Sequence, residues 1–154
     1  MMKPPEIYGE WIPLLERFAE GKDDREVLPA MQAGKLPCFR IVLERFTARL
    51  DAAMEKRFER LVGEFQAQGA MQTPDQAEQM IRGLRDGLGQ LKAAVTLPCL
   101  PESLRNQFPA EIQKGADRVQ ASLEASAAQN HSGVLQHFLQ LYPVNRWEER
   151  HEQS

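Results

Sequence analysis

Three histidines, His131, His137 and His151, and two cysteines, Cys38 and Cys99, are the side chains best suited to hold a metal or to carry acid–base or nucleophilic chemistry. Their spacing argues against convergence. His131 and His137 are six positions apart, about 240° around a helix, so they cannot ligate one metal from a common face. Glu148-x-x-His151 has the spacing used in di-metal helical bundles, but such sites need a second copy and further inward carboxylates, and neither other histidine has a glutamate three residues before it. No metal site and no cofactor is expected. The chain contains no phosphate-binding loop, nucleophile elbow, dinucleotide fingerprint or zinc-finger spacing. No catalytic residue can therefore be named.

The cysteines have no metal-type spacing and are too few for a disulfide framework, so reduced, packed or half-packed thiols are expected. Cys38 follows Pro37 at the expected start of a long helix, where the positive end of the helix dipole activates a thiol. The simpler reading is a small buried residue beside Phe39. Leu36-Pro37-Cys38-Phe39 echoes Leu97-Pro98-Cys99-Leu100 at an offset of 61. The similarity stops at the flanks and reads as chance recurrence.

Charge is organised more clearly than chemistry. With Arg45 set at zero on a helix, Arg49, Lys56 and Arg60 fall between about 20° and 60°, whereas Glu44, Asp51, Glu55 and Glu59 fall between about 240° and 320°. Basic and acidic residues thus occupy separate flanks, with the apolar stripe near 160°. A solvated helix reaches this pattern by chance; the functional reading is that Arg45, Arg49, Lys56 and Arg60 meet a partner. Nucleic acid is disfavoured, because the acidic flank lies within about one Debye length on the same cylinder and opposes a phosphate array. The net charge of -3 adds no global attraction to polyanions or anionic lipid.

Two further features invite a partner or a packing role. Trp147 lies just beyond the last helix in Tyr142-Pro143-Val144-Asn145-Arg146-Trp147, and aromatic residues with arginine anchor interfaces, although such a residue more commonly folds back on its own domain. Gly83, Gly87 and Gly89 interrupt one helix at a cost of about 1 kcal/mol each. Close approach of a neighbouring helix along the Gly83–Gly87 stripe is the expected compensation, with a flexible point, or a ligand or partner approaching the backbone, as the alternatives.

The elements that must position these residues are all helical. No window alternates with period two, and proline and glycine fall at helix starts and stops. A first helix spans Tyr8 to Glu20, with Gly21 stopping it. A second opens on a capping box at Asp23 to Glu26 and stops at Gly34. The third runs from Pro37 to about Gln68, its apolar residues Phe39, Leu43, Phe46, Leu50, Met54, Phe58, Leu61 and Phe65 recurring at a mean of about 3.7, above the 3.5 of a coiled-coil seam. Thr73-Pro74-Asp75-Gln76 caps a fourth, which the short connection turns back antiparallel to the third. A short turn near Leu104 and Phe108 precedes a fifth from Pro109, and a sixth carries Val134 to Tyr142.

The expectation is a single all-α domain over residues 1–154: a compact bundle of five or six helices around a long antiparallel pair, with a polar tail from about 144. The length suffices for an ordinary hydrophobic core. No stretch approaches the ~20 apolar residues of a membrane span, and the N-terminus lacks a signal-peptide core, so a cytoplasmic protein is expected. The leading functional reading is a non-catalytic interaction module, an adaptor, regulatory subunit or small helical chaperone. It binds another protein or a second copy of itself through Arg45, Arg49, Lys56, Arg60 and Trp147. The alternatives are a nucleic-acid-associated regulator using the basic flank and an enzyme whose site the sequence does not locate.

Overall fold

Apolar residues three to four apart, punctuated by proline and glycine, produce helices and nothing else regular: no strand occurs among the described residues. The computed structural model describes residues 2–68 and 73–147, with the backbone alone at 65–68. The helices are α1 (Tyr8–Glu20), α2 (Asp24–Ala33), α3 (Arg40–Gln68), α4 (Pro74–Ala94), α5 (Glu102–Arg105), α6 (Gln107–Gln129) and α7 (Gly133–Leu141). None is long and apolar enough to cross a membrane. The chain groups into two compact units, Met1–Glu59 with Leu91–Ile112 and Arg60–Gln90 with Gln113–Ser154, as far as the described residues go. Residues of α3, α4 and α6 belong to both.

The first unit is organised by aromatic side chains. Trp11, Leu14, Leu15 and Phe18 repeat at helical spacing on α1 and are all buried. Gly21 ends the helix at φ 74°, a left-handed conformation that favours glycine, and its N–H donates to the Arg17 carbonyl at 3.1 Å. The Trp11 ring meets Phe46 edge-on at 5.0 Å, and Phe46 meets Phe108 edge-on at 6.4 Å. The indole N–H of Trp11 donates to the Lys35 carbonyl at 2.8 Å, satisfying the polar atom of a fully buried ring. Gly34 is required here by space: a Cβ would stand 2.5 Å from Cζ2 of Trp11.

The start of α3 and the cap of α2 differ from expectation. α3 begins at Arg40, not Pro37, because the Phe39 carbonyl accepts the first helical hydrogen bond, from Leu43 N–H at 2.9 Å. Phe39 therefore precedes the helix and is 69% exposed, while the buried stripe starts at Phe46 and continues through Leu50, Met54 and Phe58. The expected capping box at Asp23 does not form. Asp23 makes no side-chain cap, and its carboxylate instead accepts from Arg17 Nη2 at 2.7 Å and Nε at 3.2 Å.

In the second unit the Thr73 box forms as read. Thr73 N–H donates to Gln76 Oε1 at 3.1 Å and Gln76 N–H to Thr73 Oγ1 at 3.3 Å. Ala77, Ile81 and Leu88 of α4 are buried, as are Ala116, Val119, Leu123 and Ala127 of α6 and Leu135 and Leu139 of α7. Ser132 caps α7 by accepting from Leu135 N–H at 3.2 Å.

The glycines of α4 do not act as expected. Among the described residues a Cβ on Gly83 or Gly87 would meet nothing within 4 Å, so none of the described elements presses on that stripe. The close approach is at Gly89, where a Cβ would stand 3.0 Å from Cδ1 of Trp147. The segment after α7 is also less tail-like than its polarity implies: Val144 is fully buried and its N–H donates to Gln120 Oε1 at 3.0 Å.

Candidate functional site

The basic residues singled out on α3 differ in exposure. Arg45, Arg49 and Lys56 are exposed in the first unit, and Arg60, half-buried, begins the second. Arg49 Nε donates to the Tyr8 hydroxyl at 2.9 Å, which ties one member of the basic flank to α1. Trp147 is half-buried on its own chain, its indole N–H donating to the Arg85 carbonyl at 2.6 Å.

Two arginines that the charge pattern did not mark are structural. Arg57 lies over the Phe18 ring at 5.1 Å, donates through Nη1 to the Phe18 carbonyl at 3.0 Å, and forms a two-point ion pair with Asp24. Arg85, 6% exposed, donates through Nε to the Pro143 carbonyl at 3.0 Å and through Nη2 to that of Arg146 at 2.6 Å. The guanidinium fork is suited to this, since it presents several fixed donors to separate carbonyls. Arg85 thereby holds the segment that carries Trp147.

The first unit presents a shallow groove of about 600 Å³ along the start of α3, closed on one side by Leu104 of α5. Leu43, Ala48 and Cys38 give it a mostly apolar wall, and Arg40, Glu44 and Asp51 edge it. Arg40 Nε and Glu44 Oε1 are paired at 3.1 Å across one helical turn. Asp51 Oδ1 is shut off from solvent and accepts no hydrogen bond from the described residues. Beside these residues in the chain, Phe39 and Ile41 are 69% and 58% exposed, two of the largest apolar side chains left to solvent. Sequence reading placed Phe39 in the core; the displaced start of α3 is what exposes it.

A second cavity, of about 440 Å³, lies in the second unit between α6, α7 and the segment that follows. It is polar, lined by Gln120, Glu124, Gln136 and Asn145 among others, and its groups already serve the fold. Gln120 Nε2 donates to Glu124 at 2.8 Å, and the Gln113 side chain donates to the Asn145 carbonyl at 2.8 Å. No histidine or cysteine lines it among the described residues.

The cysteines are nearer to one another than their separation in the chain suggests. Cys38 is exposed, and its Sγ lies 3.7 Å from the Leu36 carbonyl oxygen and 3.8 Å from that of Cys99. The expected burial beside Phe39 is thus overturned, and Cys38 sits two residues before α3, outside its first turn. Burial pushes the Cys99 thiol up from 9.0 to about 11, its own backbone hydrogen bond opposing the rise and the neighbouring Cys38 adding to it. His131 adopts φ 51° in the turn before α7, and His137 lies exposed on α7 beside Phe138. No group of three or more histidine, cysteine, aspartate or glutamate side chains able to hold a metal occurs among the described residues. Glu148-x-x-His151 lies outside them.

No family model, curated protein or solved structure matches the chain.

Proposed function

We propose that the protein is a non-catalytic interaction module, working as an adaptor, regulatory subunit or small helical chaperone, and that the groove at the start of α3 is its docking surface. The exposure of Phe39 and Ile41 beside an apolar groove is the observation that carries the reading. Large apolar side chains contiguous with an apolar concavity are the usual mark of a binding surface.

The occupant is an amphipathic helix of another protein. Its apolar face lies against Leu43, Ala48 and Leu104, and a basic side chain meets the acidic edge formed by Glu44 and Asp51. Glu44 and Asp51 belong to the acidic flank, so the charge beside the groove favours a cationic partner segment. Arg45, Arg49 and Lys56, on the opposite flank, are available to a second, acidic contact. The short connection between α3 and α4 supports their antiparallel pairing as part of the same reading.

The test compares capture by the wild-type protein with capture by Ile41→Asp and by the double variant Arg45→Glu, Arg49→Glu, each verified to be helical. A discrete partner retained by the wild type and the double variant but lost by Ile41→Asp supports the groove. An identical captured set for wild type and Ile41→Asp refutes it, as does loss only with the double variant. Self-association that Ile41→Asp abolishes would replace the foreign helix by a second copy.

A further inference from the structure

The structure brings the two copies of the Leu-Pro-Cys sequence together. Leu36 and Leu97 are both buried in the first unit, at 7% and 0% exposure, and each anchors the short irregular segment that carries its cysteine. One segment leads from α2 into α3 and the other from α4 into α5. Each contains a proline immediately before the cysteine, which restricts the preceding leucine to extended backbone and limits how far the cysteine can wander. Cys38 Sγ points at the Cys99 carbonyl oxygen at 3.8 Å. Standard bond lengths then place the Cys99 Cα within about 6.5 Å of that sulfur.

We infer that Cys38 and Cys99 form a redox-responsive pair, a modification site at which a peroxide converts two thiols into one intramolecular disulfide. The separation is within the range that rotation of the two side chains and a small adjustment of the irregular segments can close. The partners are also unequal in a useful way. Cys38 is exposed on the groove wall and meets the oxidant, whereas Cys99 is half-buried behind it. The Cys38 thiolate attacks one oxygen of the peroxide and breaks the O–O bond, giving a sulfenic acid and releasing hydroxide. Cys99 gives up its proton as its sulfur attacks the Cys38 sulfur, the S–S bond forms, and the sulfenic oxygen leaves as hydroxide, which takes up a proton. With the two thiol protons, the products are one disulfide and two waters; both sulfurs are oxidised and the peroxide oxygens are reduced. Burial keeps Cys99 protonated and makes it the slow, resolving partner.

The inference is tested on the whole reduced protein, incubated with hydrogen peroxide until the Cys38 thiol is consumed, then alkylated and digested without reductant. The expected result is loss of both thiols together, a peptide pair joined through Cys38 and Cys99 in a monomer, and an unchanged helical circular dichroism spectrum. The linked pair disappears after reduction, and in Cys99→Ser the Cys38 sulfur is instead trapped as the sulfenic or a higher acid. Consumption of Cys38 with Cys99 still free in the wild type would overturn the inference. So would a Cys38–Cys38 dimer as the main product, or a linkage that forms only once the protein is unfolded in urea. The decisive comparison uses wild-type protein and does not depend on a variant folding.

Discussion

The indole of Trp147 covers Gly89: a Cβ at that glycine would stand 3.0 Å from Cδ1 and 3.1 Å from Nε1 of the ring. The same N–H donates to the Arg85 carbonyl, four residues earlier on α4, and the Arg85 side chain returns to the Pro143 and Arg146 carbonyls. Helix and terminal segment thus hold each other through donors at both ends.

This relationship separates three glycines that look alike in the sequence. Gly83→Ala and Gly87→Ala meet open space and should each stabilise the protein by about 1 kcal/mol, the helix-propensity gain. Gly89→Ala gains the same propensity but crowds a ring fixed by its hydrogen bond, so it should fall below Gly87→Ala by about 1–3 kcal/mol. Urea unfolding measures the contrast, and a red shift of tryptophan emission in Gly89→Ala reports displacement of Trp147.

Arg85→Met removes both charged donors to the terminal segment. Because hydrogen bonds from charged groups contribute about 1.5–3 kcal/mol each, the segment should lose its seat, with faster proteolysis after α7 and the same red-shifted emission. Undisturbed emission would show that Trp147 and Val144 hold the segment without Arg85.

In the first unit, Gly34→Ala places a methyl group 2.5 Å from a carbon of the fully buried Trp11 ring. The ring is held by Lys35 and Phe46 and has little room to yield, so the variant should lose about 2–3 kcal/mol or more. Equilibrium denaturation checks this. Asp24→Ala should cost about 2 kcal/mol in the same assay, since it leaves Arg57, whose side chain is 11% exposed, with an unanswered charge. The exposure of Asp24 itself, 33%, is why the figure lies below that of a fully buried pair.

Much of the local structure was legible because it is written in short-range chemistry. The bounds of α1 follow from the spacing of Trp11, Leu14, Leu15 and Phe18 and from Gly21; the start of α4 follows from Thr73 and Gln76. Phe39 was misplaced because periodicity alone cannot tell the first residue of a helix from the one that caps it. Asp23 has the right type for a cap, but a nearby cation, Arg17, competed for its carboxylate. Arg57 and Arg85 carry no local mark at all, since arginine is ordinarily a surface residue and their partners are mainly backbone carbonyls remote in the chain. The glycine stripe was read in the right helix at the wrong positions, and the repeated Leu-Pro-Cys gained meaning only from a contact across 61 residues. The place of the groove could not be foreseen, because it depends on where α5 lies against α3.

The Cys99 thiol also sets a pH dependence. The unfolded chain gives up this proton near pH 9.0 whereas the folded protein holds it to about 11, so between those values the unfolded state binds fewer protons. Stability from this group is present below pH 9.0 and declines as pH rises through that interval. The difference in stability between wild type and Cys99→Ser, followed by urea unfolding across the interval, should therefore shrink with rising pH; a constant difference would contradict the assigned cause.

The most direct measurement of the interaction account is site-specific photo-crosslinking in the native cell, with the photoreactive residue placed at Ile41 or at Ala48, and at exposed Lys22 for comparison. The account predicts one discrete adduct from Ala48, on the groove wall, and from Ile41 beside it, and none from Lys22, with the crosslink mapping to an amphipathic segment that carries a basic residue. Failure of Ile41 and Ala48 to give an adduct, or the same adducts as Lys22, would contradict it.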